Sequence, residues 1–294
     1  MALDELRALI ARHARDDGST AIDNVLASIA TEPTRPTAST SGTVLAIIAQ
    51  GAKRLVLGDR VYDYRAGQYL VASVDLPVTG QYVEASAAEP ALGFGLTLRP
   101  SAIAELLLST DESSRGGSAP SGLAVSDASF ELLDAAVRML RLLDRPRDIP
   151  VLAPMIEREI LWLLITGEQG ANVRQLGLAD SSLTHVGQAV SWIREHYAET
   201  IRVEQLAQLA RMSVSAFHRS FQAVTAMSPI QFQKQIRLHE ARLLLVLRPD
   251  DVAGVGYAVG YESPSQFSRE YRRRYGTPPS QDAVNLRLRP AAAR

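Results

Sequence analysis

Two short runs of side chains stand fifty residues apart and repeat each other. Ser213-x-Ser215-x-Phe217-x-Arg219-x-Phe221 recurs as Ser263-x-Ser265-x-Phe267-x-Arg269-x-Tyr271, and Pro229 and Pro279 keep the same interval. Upstream, Leu206-Ala207 matches Val255-Gly256 at an offset of 49, so the second copy has one extra residue in its turn. The polar members of these runs are hydrogen-bond donors suited to the edges of bases. Arginine donates two bonds to guanine O6 and N7, and histidine or glutamine reaches a purine N7. Arginines further along, such as Arg272, Arg273 and Arg274, suit phosphates, contacts that fix position without carrying sequence information. A duplicated unit of this size means a duplicated surface.

The elements that must position these side chains follow from the spacing. Each copy reads as helix–turn–helix. In the first, residues 203–211 form a short helix with Leu206, Leu209 and Ala210 inward, Met212-Ser213 is the turn, and Ser213 caps the next helix. Phe217, Phe221 and Val224 lie at i, i+4 and i+7 and face the core, which leaves Ser215, His218, Arg219 and Gln222 outward. In the second, Ser263-Pro264-Ser265-Gln266 starts a helix with a serine cap, proline at the first position and glutamine at the third. Phe267, Tyr271 and Tyr275 then face inward, and Ser265, Gln266, Ser268, Arg269 and Arg272 face outward. Between the copies, Ser228-Pro229-Ile230-Gln231 opens a helix that runs to about Leu247 and holds the two in fixed relation. The second helix of such a motif fits the roughly 12 Å major groove, so two of them on one connecting helix enter successive grooves about one DNA turn apart. His218 and Arg269 are placed for base or phosphate contact, while Arg272–Arg274 divide between phosphate contact and a solvated face.

The whole chain supports a basic C-terminal part. Its 294 residues, 46% hydrophobic and 21% charged, suit two globular domains. The net charge of −1 hides a split: from Thr184 onward there are 15 basic against 9 acidic residues, a net of +6, and the remainder carries −7. That asymmetry points to an anionic partner for the basic part. The absence of cysteine excludes disulfides, Cys-ligated zinc and thiol catalysis. No apolar run approaches a transmembrane span, and the first residues do not read as a secretory signal, so a cytoplasmic protein with no membrane partner is expected.

The preceding part has a different texture. Leu3, Leu6, Leu9 and Ile10 mark an amphipathic helix over residues 3–15, and a Pro/Thr-rich stretch at 31–37 breaks regular structure. Over residues 43–98, strand-sized apolar runs at 44–49, 55–57, 61–64, 69–74, 81–85 and 94–98 predict a small antiparallel barrel or sandwich, with Gly58-Asp59 as a hairpin turn. A polar Gly/Ser-rich loop at 109–122 leads to an antiparallel helix pair within residues 127–165, at 127–144 and 150–165. Phe130, Leu133, Val137 and Leu140 mark the first of these and Leu152, Met155, Ile156 and Ile160 the second; both core packing and a dimer interface remain open for these stripes. Residues 167–177 read as a linker. Of five histidines, none lies between Thr43 and Thr184, so the β region lacks the usual ligands of a transition metal. No metal, cofactor or catalytic residue is assigned, and the chain is not expected to be an enzyme.

Residues 251–271, through Gly276 and Pro278-Pro279, together with Met212 to Phe221, resemble the C-terminal domain of the AraC/XylS family of bacterial transcription regulators. The likeness covers about a third of the chain. It implies a seven-helix domain with Ser215, His218 and Arg219 at base-reading positions, and Pro264, Ser265, Ser268 and Arg269 at the corresponding ones. Gly256 departs from the family's more usual alanine and is expected to loosen its helix slightly. The N-terminal part is similar to a subgroup with a cupin-like sensor, through Gln50-Gly51-Ala52-Lys53-Arg54-Leu55-Val56-Leu57-Gly58-Asp59, Tyr62-x-Tyr64, Gly67-x-Tyr69-Leu70-Val71, Leu76-Pro77-Val78 and Leu152 to Ile160. The resemblance thus implies an α+β chain: residues 1–176 a cupin-like β-barrel with flanking helices for sensing or dimerisation, and residues 184–284 an all-α DNA-binding domain with two helix–turn–helix motifs. The implied function is a sequence-specific regulator that binds double-stranded DNA through two adjacent major grooves per subunit, forms a homodimer and responds to a small effector. The alternative gives the barrel a protein partner, another regulator or RNA polymerase, and no small molecule. Tyr62, Tyr64 and Tyr69 either line an effector cavity or pack within the sheet, and no effector-binding residue is assigned.

Overall fold

Short apolar runs and their cross-strand partners build nine strands among the residues that the computed structural model describes, which are 2–109, 121–178 and 182–287. They are β1 (Val25–Ala30), β2 (Thr37–Thr40), β3 (Val44–Gln50), β4 (Ala52–Leu57), β5 (Arg60–Arg65), β6 (Gln68–Ala72), β7 (Pro77–Glu84), β8 (Ala91–Thr97) and β9 (Leu123–Asp127). All pair antiparallel, in a five-stranded sheet ordered β1-β8-β3-β6-β9 and a four-stranded sheet ordered β2-β7-β4-β5. Gly58-Asp59 is the expected hairpin turn: Leu57 pairs with Arg60, and Gly58 takes the positive φ of 62° that such a turn needs at its first position. The six expected strands are present; β1, β2 and β9 were not anticipated.

The register decides what each face carries. On the larger sheet Ser28, Gly93, Gly95, Ala46, Ile48 and Leu70 share one face, and Ala27, Phe94, Ile47 and Tyr69 share the other. The second face is covered by α1 (Ala2–His13), which buries Leu6, Leu9 and Ile10. On the smaller sheet Lys53, Leu55, Tyr64, Gly80 and Tyr82 share a face. Tyr82 on that face reaches across to Ser28, with 2.7 Å between the hydroxyls, so the two sheets form the opposed walls of a barrel.

Helices α2 (Pro100–Leu108), α3 (Phe130–Arg141), α4 (Ile149–Thr166) and α5 (Gly170–Gly177) complete this part. Two expectations are corrected here. The first helix of the pair starts at Phe130, capped by Ser129, because Asp127 ends β9; its buried stripe is Leu132, Ala135, Ala136, Val137, Met139 and Leu140, and Phe130 is 65% exposed. Residues 167–177 are not a linker: α5 buries Val173 and packs on α2, where Gly177 has no room for a Cβ beside Ile103. Of the polar loop expected at 109–122, residues 110–120 lie outside the described residues.

Seven helices follow among the described residues, the number the family resemblance implied: α6 (Ser182–Glu195), α7 (Val203–Leu209), α8 (Val214–Thr225), α9 (Pro229–Leu247), α10 (Val252–Ala258), α11 (Pro264–Tyr275) and α12 (Pro279–Arg287). The chain divides into two compact units, one of residues up to Gly187 with Ala223–Ala226, the other of Gln188–Gln222 with residues from Met227 onward. No described helix is long and apolar enough to cross a membrane.

Candidate nucleic-acid interface

Each helix–turn–helix is made by a residue that reverses the backbone. In the second copy Gly260 (φ 87°) follows α10 and Gly276 (φ 77°) follows α11. In the first copy the matching positions are Arg211 (φ 51°) and Ala226 (φ 56°), at the same offsets of 49 and 50. The left-handed conformation costs a residue with a Cβ about 1–2 kcal/mol, so the first copy carries strain that the second relieves with glycine. At Gly260 glycine is needed twice over, since a Cβ would lie 2.1 Å from the Ala198 carbonyl oxygen.

Serine caps set where the helices begin. Ser213 Oγ accepts from the Ala216 amide, Ser263 Oγ from the Gln266 amide, and Asp251 caps α10 through the Gly254 amide. A reciprocal capping box forms at Ser228 and Gln231, opening α9. It does not form at Ser263: the Gln266 side chain turns down its helix and donates to Glu270 (3.2 Å).

The aromatic residues fix the rotation of α8 and α11. Phe217 and Phe221 are fully buried with ring centroids 5.3 Å apart, and Phe221 meets Phe232 of α9 edge-on at 5.5 Å. In the second copy Phe267 and Tyr271 pack with Tyr261, Val255 and Val259 against Leu238, Ala241 and Leu245 of α9. One expectation changes. Leu209 is 40% exposed rather than inward, because α7 ends there and only Leu206, Ala207 and Ala210 reach the core. Gly256 has a packing role: a Cβ there would stand 3.0 Å from the Phe267 ring, so glycine lets the two helices approach.

Polar side chains, Asp282 buried and Arg237 and Glu270 half-buried, tie the helices together. Arg237 of α9 donates to the carbonyls of Tyr197 (2.7 Å), Glu199 (2.9 Å) and Gly260 (2.7 Å), tying the chain after α6 to the second turn. Asp282 accepts from Tyr271 Oη (2.8 Å) and Arg242 Nε (3.0 Å), joining α9, α11 and α12. Glu270 accepts from Lys234 (3.0 Å), Tyr261 Oη (2.9 Å) and Gln266. Burial works to raise the Glu270 pKa, but these hydrogen bonds win and hold it below the usual carboxylate value. Burial is the first cause that pushes the Tyr275 hydroxyl up to about 12.

With α8 and α11 so oriented, Ser215, His218, Arg219 and Gln222 are exposed on the first, and Ser265, Gln266, Arg269 and Arg272 on the second. Pro264 and Ser268 are half-buried, and Pro264 occupies the first position of its helix. The arginine run divides: Arg272 and Arg273 are exposed, whereas Arg274 is half-buried with its guanidinium 5.9 Å from the Tyr275 ring centroid. The face common to both copies is therefore polar, basic and supported from behind by aromatic residues.

Comparison with known proteins agrees with this geometry. The family model for the AraC-type transcriptional regulator N-terminus matches residues 21–172, and that for a helix-turn-helix domain matches residues 206–283. Among curated proteins, the HTH-type transcriptional activator RhaS of Escherichia fergusonii is 28% identical over 130 residues, 44% of this chain and 46% of that protein. RhaS of Citrobacter koseri is 24% identical over 163 residues, 55% of this chain and 57% of that protein. The chain spans about half the length of the curated relatives it matches. Among solved structures, unsaturated fatty acid-bound ToxT from Vibrio cholerae has the same fold, with a TM-score of 0.57 at 10% identity, covering 89% of this chain and 95% of ToxT. With more than half of its length matched by the N-terminal family and a helix-turn-helix domain after it, the chain belongs to the AraC-type transcriptional regulators.

Proposed function

We propose that the chain binds double-stranded DNA in a sequence-specific way and regulates transcription, with α8 and α11 entering two adjacent major grooves per subunit. The observation that carries this reading is the duplicated exposed face, with Arg219 and Arg269 at equivalent positions of two aromatic-backed helices. Arg219, His218 and Gln222 read bases from α8 together with Ser215, and Arg269, Ser265 and Ser268 do so from α11 beside Pro264 and Gln266; Arg272 and Arg273 take phosphates. The first unit senses a small effector, a reading supported by the fatty acid held by ToxT. It also forms the homodimer through α3 and α4, where Phe130, Val151 and Met155 are each more than 60% exposed.

Fluorescence anisotropy of the full chain on a duplex of random sequence tests the DNA-binding reading. A protein that neutralises Z phosphates loses affinity with salt at a log–log slope of about −0.9Z. The exposed basic residues of α8 and α11 predict a slope of about −4, shallower by about 2 in an Arg272→Ala, Arg273→Ala double variant. No salt dependence, or a slope that the double variant leaves unchanged, contradicts the reading.

A further inference from the structure

The lumen-facing side of the smaller sheet carries a feature that packing does not explain. Lys53 lies in phase with Leu55 on β4, so its side chain enters the barrel between its cross-strand neighbours Tyr64 and Tyr82. Its ammonium stands 5.0 Å from the centroid of the Tyr82 ring, and no carboxylate among the described residues pairs with it. Tyr64 is 1% exposed, and its buried hydroxyl has no hydrogen-bond partner among the described residues. An unmatched donor of this kind costs about 1–3 kcal/mol when buried, and a charged one more.

On the opposite wall Ala46 faces the lumen and is only partly buried although it sits on the middle strand of a five-stranded sheet with neighbours on both sides, so accessible space remains beside it. A Cβ at Gly93 would lie 2.7 Å from Ser28 Oγ, so glycine there keeps the Ser28–Tyr82 bridge. Ile48, Leu55 and Leu70 add apolar surface to a lining that also carries Tyr62 and the Ser28 and Tyr82 hydroxyls, which satisfy each other. Two adjacent donors, one cationic, beside this apolar surface are the complement of a singly charged oxyanion on an apolar body.

We propose that the barrel lumen binds a small organic monocarboxylate, its carboxylate taken by Lys53 Nζ and Tyr64 Oη and its body by the apolar lining. This rests on the effector-sensing reading of the first unit and narrows it to a chemical class. A neutral ligand would leave the half-buried ammonium unpaired, and a phosphate dianion would demand more donors than the two present.

Thermal melting of the full chain tests this, with straight-chain monocarboxylates from acetate to decanoate and with benzoate, each beside its primary amide. At least one acid raises the Tm and its amide does not. K53M weakens that acid's apparent affinity by roughly 10- to 100-fold, the value of a charge-assisted hydrogen bond. Y64F weakens it by roughly 2- to 10-fold, while its unliganded Tm stays level or rises because an unmatched hydroxyl is gone. Y64F carries the test if K53M fails to fold. Equal responses of wild type and both variants, amides that match their acids, or silence across all the acids overturn the proposal. A shift by neutral molecules alone leaves effector sensing standing with a different ligand class; silence across a neutral metabolite panel as well removes effector sensing too.

Discussion

Arg219 and Arg269 stand one turn along two equivalent helices, each beside a fully buried phenylalanine that fixes the helix rotation. Arg219→Ala is expected to weaken binding to a preferred site by about 1–3 kcal/mol, and random duplex much less. Competition binding against both DNAs measures the difference, and equal losses on the two would make Arg219 a phosphate contact. His239, on α9, is a second residue with a measurable consequence. Burial is the main cause that lowers its pKa from the usual 6.5; Glu240 opposes and Arg194, Arg242 and Arg274 add to it. The folded state therefore binds fewer protons than the unfolded state, and stability falls as pH drops below about 6.5. Urea denaturation between about pH 7.5 and pH 5.5 should show that loss. His239→Gln should flatten it, and an unchanged pH dependence would contradict the assignment. At this scale the outward residues were legible because phenylalanines four apart can only face one way. The diversion of Gln266 was not, since Glu270 is oriented by Lys234 and Tyr261 from two other elements. Lys53 was legible in principle: its phase with Leu55 and Leu57 puts it inside the barrel.

At the scale of elements, the caps were written in the sequence, and Ser213, Ser228 and Ser263 each begin the helix expected of them. The turns carry the sharper prediction. Gly260→Ala meets both a left-handed backbone and the Ala198 carbonyl oxygen at 2.1 Å, whereas a Cβ at Gly276 meets open space. Gly276→Ala should cost about 1–2 kcal/mol of strain, and Gly260→Ala distinctly more. Chemical denaturation of the two variants side by side checks the order, and equal losses would remove the clash from the account. Elements that were not legible share a cause, which is that their partners are distant in sequence. Thr37–Thr40 is polar and becomes a strand only by pairing with β7, and Leu123–Asp127 only by pairing with β6. The glycine-flanked helix Gly170–Gly177 has little local signal and is held by α2.

At the scale of the molecule, the charge split and the repeat identified the basic unit before any fold was considered, and the family matches cover both units. What the sequence left open in the first unit was whether its tyrosines line a cavity. The register decides which way they face: Tyr62 and Tyr64 share the lumen face of β5, and Tyr69 lies on the opposite face of the larger sheet with Ile47 and Phe94. A one-residue slip would exchange these faces, and nothing in composition fixes that choice. If one chain reads DNA through both α8 and α11, selection of binding sites from random duplex DNA by the purified full chain at fixed salt yields two short enriched blocks about 10 bp apart, with Arg219→Ala relaxing one and Arg269→Ala the other. A single block, or no enrichment over the starting pool, would rule out two reading helices.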